Sequence, residues 1–233
     1  INFFKQWGCI LGSGEGEINF ILFGDSHSLS LKTFIHEKAK QKGIKVFYTG
    51  SSGCLPFMGI HPQRNDQYKN NCNLLNKRVF ELAKSTDLDG IILSARWSYY
   101  TLGDYNFSGA QLISDIAEGP FNLQHSIDIF TSALGATIEK FNSIEVPIHL
   151  ITQPPHQKYP PELVYFLSSK GIGSIESLSV KRADFDRLNE IPINAFYKFE
   201  DEINIYNITD LFCDEFICLI GEENKSFYYD NDH

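Results

Sequence analysis

The sequence predicts one three-layer α/β/α domain over residues 1–233, built on a five-stranded parallel sheet. Short apolar runs alternate with longer amphipathic ones, the mark of repeated βα units. Two long polar connections follow strand ends, where open α/β sheets place their binding crevices. The chain is 42% hydrophobic and 14% aromatic, enough to cover both faces of such a sheet. No internal repeat, low-complexity tract or flexible linker divides it.

Taken in order, Ile18–Phe23 reads as the first strand and ends abruptly in Gly24-Asp25-Ser26. Leu29–Lys42 follows as a helix with Leu29, Leu31, Phe34 and Ile35 on one side and Gly43 as its stop. Ile44–Thr49 is the second strand, and the connection Gly50–Asn73 leads to a helix over Leu74–Lys84 carrying Leu75, Val79 and Leu82. Gly90–Ser94 is the third strand. The connection from Trp97 to about Leu123 then precedes a helix over Ile127–Phe141 with Ile127, Phe130, Leu134 and Ile138. Pro147–Thr152 is the fourth strand, with Gln153-Pro154-Pro155-His156 at its end. A helix through Val180–Leu188 and a fifth strand at Ile203–Tyr206 complete the pattern.

A net charge of -9 without a Lys/Arg cluster argues against nucleic acid and anionic lipid as partners. No apolar run reaches the ~18 residues that a membrane helix needs. The chain begins at Ile1 without a signal-peptide layout and stops at His233, so both ends are expected to be cut edges of a longer protein.

Five cysteines are present. Cys54 and Cys72 flank a polar loop with little core of its own, which a cross-link would order, and Cys213 and Cys218 bracket a short turn. Reduced thiols are the competing reading. Zinc is disfavoured because no Cys-x-x-Cys pair or matched histidine spacing occurs, and no metal site is expected. The favoured arrangement is Cys54–Cys72 and Cys213–Cys218 with Cys9 left over, which implies an oxidising compartment.

The Gly-Asp-Ser block places a serine hydroxyl at the carboxyl edge of a buried strand, beside backbone N–H groups able to meet an oxyanion. The alternative is a simple turn in which Asp25 or Ser26 caps a helix. Asp230-Asn231-Asp232-His233 supplies an imidazole with a carboxylate three positions upstream to orient it. Serine on the first strand and Asp/His after the last point together to acyl transfer.

This order resembles the SGNH/GDSL hydrolase family. The series Phe23-Gly24-Asp25-Ser26-His27-Ser28, Ser52-Gly53-Cys54-Leu55-Pro56, Ile91-Ile92-Leu93-Ser94-Ala95-Arg96-Trp97, Cys213/Cys218 and Tyr228-Tyr229-Asp230-Asn231-Asp232-His233 is similar to the periplasmic SGNH domain fused to membrane-bound acyltransferase-3 proteins. Those proteins O-acetylate lipopolysaccharide O-antigen or other surface glycans. The resemblance implies a flavodoxin-like SGNH hydrolase fold, in the C-terminal periplasmic part of a bacterial inner-membrane protein. It implies Ser26 as nucleophile, His233 as general base and acid, and Asp230 as its orienting partner, with Asp232 the competing carboxylate. Oxyanion donors would be the N–H groups of Ser26 and Gly53. The family's Gly-x-Asn-Asp block is replaced by Ser94-Ala95-Arg96-Trp97, so no asparagine stands there, and Arg96 is read either as the third donor or as a residue that binds a carbohydrate or a carboxylate. The acyl donor would be acetyl-CoA, delivered through the attached membrane domain, with no cofactor bound by this domain.

Arg96, Trp97 and His156 are the candidates for contact with the glycan acceptor. Trp97, Tyr99 and Tyr100 offer a sugar-stacking platform or, as the stronger reading for Trp97, an aromatic lid on the core. His156 after Pro154-Pro155 either faces the crevice or, as the commoner case, is a solvated loop residue, and His27 is read as structural or substrate-contacting. A carbohydrate esterase and a non-catalytic glycan-binding module are the alternative functions.

Overall fold

The computed structural model describes residues 7–13, 15–223, 225–230 and 233. Its main sheet has six strands: β1 (Cys9–Gly12), β2 (Phe20–Gly24), β3 (Lys45–Gly50), β4 (Gly90–Ser94), β5 (Ile148–Ile151) and β6 (Asn204–Tyr206). Their spatial order is β1-β3-β2-β4-β5-β6. From β3 to β6 every pairing is parallel, with Phe23 opposite both Thr49 and Leu93, while β1 runs antiparallel along β3. The expected five parallel strands are therefore joined by a sixth, antiparallel one at the edge. Four residues, Cys-Ile-Leu-Gly, are too few to display a strand period in sequence.

The helices are α1 (Ser26–Ser30), α2 (Lys32–Lys42), α3 (Asp66–Lys84), α4 (Leu123–Asn142), α5 (Pro161–Ser169), α6 (Ile175–Leu178) and α7 (Arg182–Tyr197). Burial on both sides explains the apolar strand sequences. Ile21 and Phe23 point into the larger cluster with Val79 of α3, Phe130 of α4 and Phe196 of α7, whereas Leu22 points the other way, onto Ala39 of α2. The alternation along β2 is the period of two that a pleated strand imposes.

Local chemistry sets the helix ends. Gly43 closes α2 in the left-handed conformation, φ 66°, with its N–H on the Ala39 and Lys40 carbonyls. The single helix expected over Leu29–Lys42 is two short helices meeting at Leu31, the first capped by Asp25. Asn65 and Asn122 cap α3 and α4 by accepting from the N–H groups of Tyr68 and His125, so both helices start earlier than their apolar stripes suggest. Helix α7 runs on through Pro192 to Tyr197, past the expected stop at Leu188.

The two long connections lie at the carboxyl edge of the sheet and pair with each other, His61–Pro62 against Ile113–Ser114. Disulfide Cys54–Cys72 ties the first of them to α3, and Cys213–Cys218 closes a turn after β6; Cys9 is the free cysteine. Both pairings are the expected ones. Among the described residues, no helix is long and apolar enough to cross a membrane.

Candidate active site

Strand β2 delivers the Gly-Asp-Ser block to the carboxyl edge of the sheet between the ends of β3 and β4. Gly24 lies opposite Gly50 on one side and Ser94 on the other. A methyl group on Gly50 would come within 2.9 Å of Ser28 Oγ, so glycine there lets α1 sit directly on the strand ends. Asp25, 2% exposed, takes the N-cap position of α1. Its Oδ1 accepts from His27 N–H at 2.9 Å, and its Oδ2 accepts from Arg96 N–H at 3.1 Å and from the Tyr100 hydroxyl at 2.9 Å. Burial first, then the charge of Asp25, pushes the Tyr100 hydroxyl well above the ordinary tyrosine range, which keeps it a donor. Asp25 is thus both cap and hub, joining the Ser26 turn to the loop after β4. Ser26 is the first residue of α1 and is half-buried.

The opposite wall comes from the segment after the Cys213–Cys218 bridge. Asp214 accepts from the N–H groups of Phe216 and Ile217 at 2.7 and 2.8 Å, which fixes the turn that the bridge closes. Ile217–Cys218 then pairs with Val180–Lys181, and Gly221–Glu222 with Lys225–Ser226. Ser226 Oγ donates to the Tyr228 carbonyl and accepts from the Tyr228 N–H. Tyr228 itself packs with Ile220 and Val164, so the segment has a small core of its own. The path ends with His233, whose Nδ1 is 2.9 Å from Asp230 Oδ2 and whose N–H donates to Asp230 Oδ1 at 2.8 Å.

The two walls meet. Ser26, Asp230 and His233 line one open cavity of about 510 Å³, together with Leu29, Ser30, Phe227 and Tyr229. The His233 ring rests against that of His27, centroids 4.9 Å apart and planes inclined at 51°. His27 is buried, in keeping with the structural half of its expected roles. Asp232, the competing carboxylate, lies outside the described residues.

The other expected site residues divide. Gly53 adopts φ +72°, a conformation that favours glycine, in the loop that starts with Ser51 N–H donating to Gly24 O at 3.2 Å. The Tyr68 hydroxyl on the Ser52 carbonyl and the Cys54–Cys72 bridge hold that loop from behind. Arg96 has its backbone N–H on Asp25, while its guanidinium lies over the Tyr99 ring with Nη2 3.5 Å from His156 Nε2. His156 is not a solvated loop residue: it is 7% exposed and stacks on Tyr105 at 5.5 Å. Trp97 corrects the expectation of a glycan contact. It is 1% exposed, lies between Phe57 and Phe196, and donates its indole N–H to the Ile151 carbonyl, so no ring face is left for a sugar. Tyr100 is equally buried.

A family model described as "SGNH domain (fused to AT3 domains)" matches residues 2–233. The chain belongs to this family. Among solved structures, the periplasmic domain of a lipopolysaccharide acetyltransferase from Salmonella ser. Paratyphi A superposes on this SGNH domain with a TM-score of 0.66 at 16% identity, over 94% of this chain and 77% of that one. A GDSL-like lipase from Bacteroides thetaiotaomicron aligns with a TM-score of 0.42 at 10% identity, over 92% of this chain and 78% of its own. No curated protein sequence matches the SGNH domain significantly.

Proposed function

We propose that this SGNH domain is a serine O-acetyltransferase that carries an acetyl group on Ser26 and passes it to a sugar hydroxyl of lipopolysaccharide O-antigen or a related surface glycan. One observation carries the reading: residues about two hundred positions apart, Ser26 and the Asp230–His233 pair, line the same cavity. Asp230 at His233 Nδ1 sets the tautomer and assigns proton exchange to Nε2. In the first half-reaction Nε2 takes the Ser26 hydroxyl proton as Oγ attacks the acyl carbonyl. The oxyanion is met by the N–H groups of Ser26 and Gly53, with the Arg96 guanidinium as the third donor. His233 then returns the proton to the leaving group. In the second half, the acceptor hydroxyl gives its proton to Nε2 and attacks acetyl-Ser26. As the tetrahedral intermediate collapses, Nε2 returns that proton to the departing Ser26 Oγ, which restores the resting state.

The fusion recorded for the family supports a membrane acyltransferase-3 domain as the source of the acetyl group, ultimately from acetyl-CoA, and a periplasmic location. The disulfides agree with an oxidising compartment. Water as acceptor turns the same residues into a carbohydrate esterase.

The test is Ser26→Ala in cells carrying the full-length protein. Glycan O-acetylation is expected to fall by about 10³-fold or more. Normal acetylation in that variant would refute the reading. Incubation of wild-type membranes with acetyl donor and glycan separates the two acceptors, acetylated sugar marking transfer and acetate alone hydrolysis.

A further inference from the structure

A second polar cavity, of about 400 Å³, opens between the loop after β4, the loop after β5 and the start of α7, walled by Tyr105, Asn106, His156, Lys158, Tyr159 and Arg187 among others. Its position follows from the sheet. Ser26 follows β2, Arg96 follows β4 and His156 follows β5, three neighbouring strands whose ends lie about 10 Å apart from first to last. Arg96 spans the step, its backbone on Asp25 beside the nucleophile and its Nη2 3.5 Å from His156 Nε2 on the cavity's buried side.

The wall chemistry narrows the occupant. Lys158 Nζ and Arg187 Nη2 both lie on the Asp184 carboxylate, at 2.7 and 3.7 Å. The Asp104 carboxylate accepts from the N–H groups of Asn106 and Ser108 at 2.9 and 3.1 Å. The charges are therefore matched within the wall, which suits no lone ion. The aromatic part is equally built: Tyr105 stacks on His156 and bonds its carbonyl, Lys158 Nζ lies 5.5 Å from the Tyr105 ring centroid, and Tyr159 stays 42% exposed. The Tyr105 ring is covered by His156 and Lys158 and stiffens the wall, while the exposed Tyr159 ring supplies a face for a C–H surface. That face, beside fixed planar groups that bond paired hydroxyls, is what a sugar ring requires.

From this geometry we infer that the cavity is a saccharide subsite: it holds a neutral, hydroxyl-rich unit of the acceptor glycan while a neighbouring unit presents its hydroxyl to Ser26. The inference rests on the acyl-serine reading above. It gives the acceptor a direction, from the Ser26 cavity across Arg96 to the α7 side.

The test uses membranes bearing the full-length protein, acetyl-CoA as donor and base-deacetylated surface polysaccharide from the producing cells as acceptor, with p-nitrophenyl acetate hydrolysis as a separate measure of Ser26 chemistry. The variants are Tyr159→Ala, Arg187→Ala and their combination, at side chains exposed enough to be truncated without loss of fold. The double variant is expected to raise the acceptor KM at least tenfold, with kcat and ester hydrolysis within twofold of wild type. An unchanged acceptor KM would overturn the subsite and leave the nucleophile reading standing; equal losses in transfer and ester hydrolysis would overturn it as well. Direct binding of the polysaccharide to the Ser26→Ala protein gives a second readout. There the addition of Tyr159→Ala is expected to weaken binding at least tenfold, and equal binding sinks the subsite. Wild-type levels of transfer by Ser26→Ala alone would instead remove the acyl-serine reading beneath it.

Discussion

Ser26 stands at the end of a strand whose Ile21, Leu22 and Phe23 are all fully buried, and its turn is gripped by a carboxylate with three donors. His233 is held by a segment whose regular structure is pairs of two-residue strands, a five-residue disulfide span and side chains bonded to nearby backbone. One half of the site is thus positioned by the packing that makes the fold, the other by local clips laid over it. Damage to the first should appear as lost stability, damage to the second as lost activity in a protein that still folds.

The sharpest challenge to this contrast is Asp25→Asn. The substitution keeps the shape but turns an amide N–H₂ toward donors, leaving buried groups unsatisfied at a cost of about 2–3 kcal/mol. For a chain of this size the melting temperature is expected to fall by about 5–10 °C, read by calorimetry. A variant that melts like wild type would show that Asp25 is a cap and not a hub.

The disulfides offer a crossed test. Chain-entropy reasoning assigns Cys54–Cys72, 18 residues apart, about 3 kcal/mol and Cys213–Cys218, 5 apart, about 2 kcal/mol. Replacing both members of the shorter pair with serine is expected to cost less stability but more activity, since that bridge anchors the approach to His233. Melting temperatures and p-nitrophenyl acetate turnover for the two double variants give the comparison. If the longer bridge proves more important for both, the clip view of His233 fails.

The smallest effect is in acid. The N–H groups of Ile217 and Phe216 hold the Asp214 carboxyl below its usual value. A carboxylate lowered in the fold contributes fully above its unfolded value near 4, and that contribution is lost as pH falls through the lowered value. Hydrogen exchange of the Phe216 and Ile217 amides is therefore expected to be unaltered from neutrality to about pH 5, beyond intrinsic chemistry, and to accelerate below pH 4 ahead of β2. Equal loss of protection in both regions would erase the distinction.

Much of this was legible in the chain because burial on two faces writes itself as apolar runs. β2 to β6 appear within a residue or two of their expected places, and Ser26, Asp230 and His233 converge from motifs alone. What escaped was set by contacts rather than by period. β1 is four residues long and exists because β3 offers it an edge. The first turns of α3 read as polar loop, since the residues from Asp66 to Asn71 are polar or half-exposed and carry no apolar stripe, and only the Asn65 cap marks the start. The grip on Asp25 depends on Tyr100 and Arg96, some seventy residues away, a proximity that no local pattern encodes. Trp97 differed from a surface aromatic only through neighbours that the fold brings to it.

The reversed direction of β1 has an outcome of its own. Because Cys9 pairs with Tyr48 and Trp7 O accepts from Thr49 Oγ1, the residues that lead into β1 lie at the rim where β2 releases Ser26, not at the far side of the sheet. Thr49 stands one residue before Gly50, which lies opposite Gly24, so any change in the lead-in to β1 is felt at the same rim that carries Ser26.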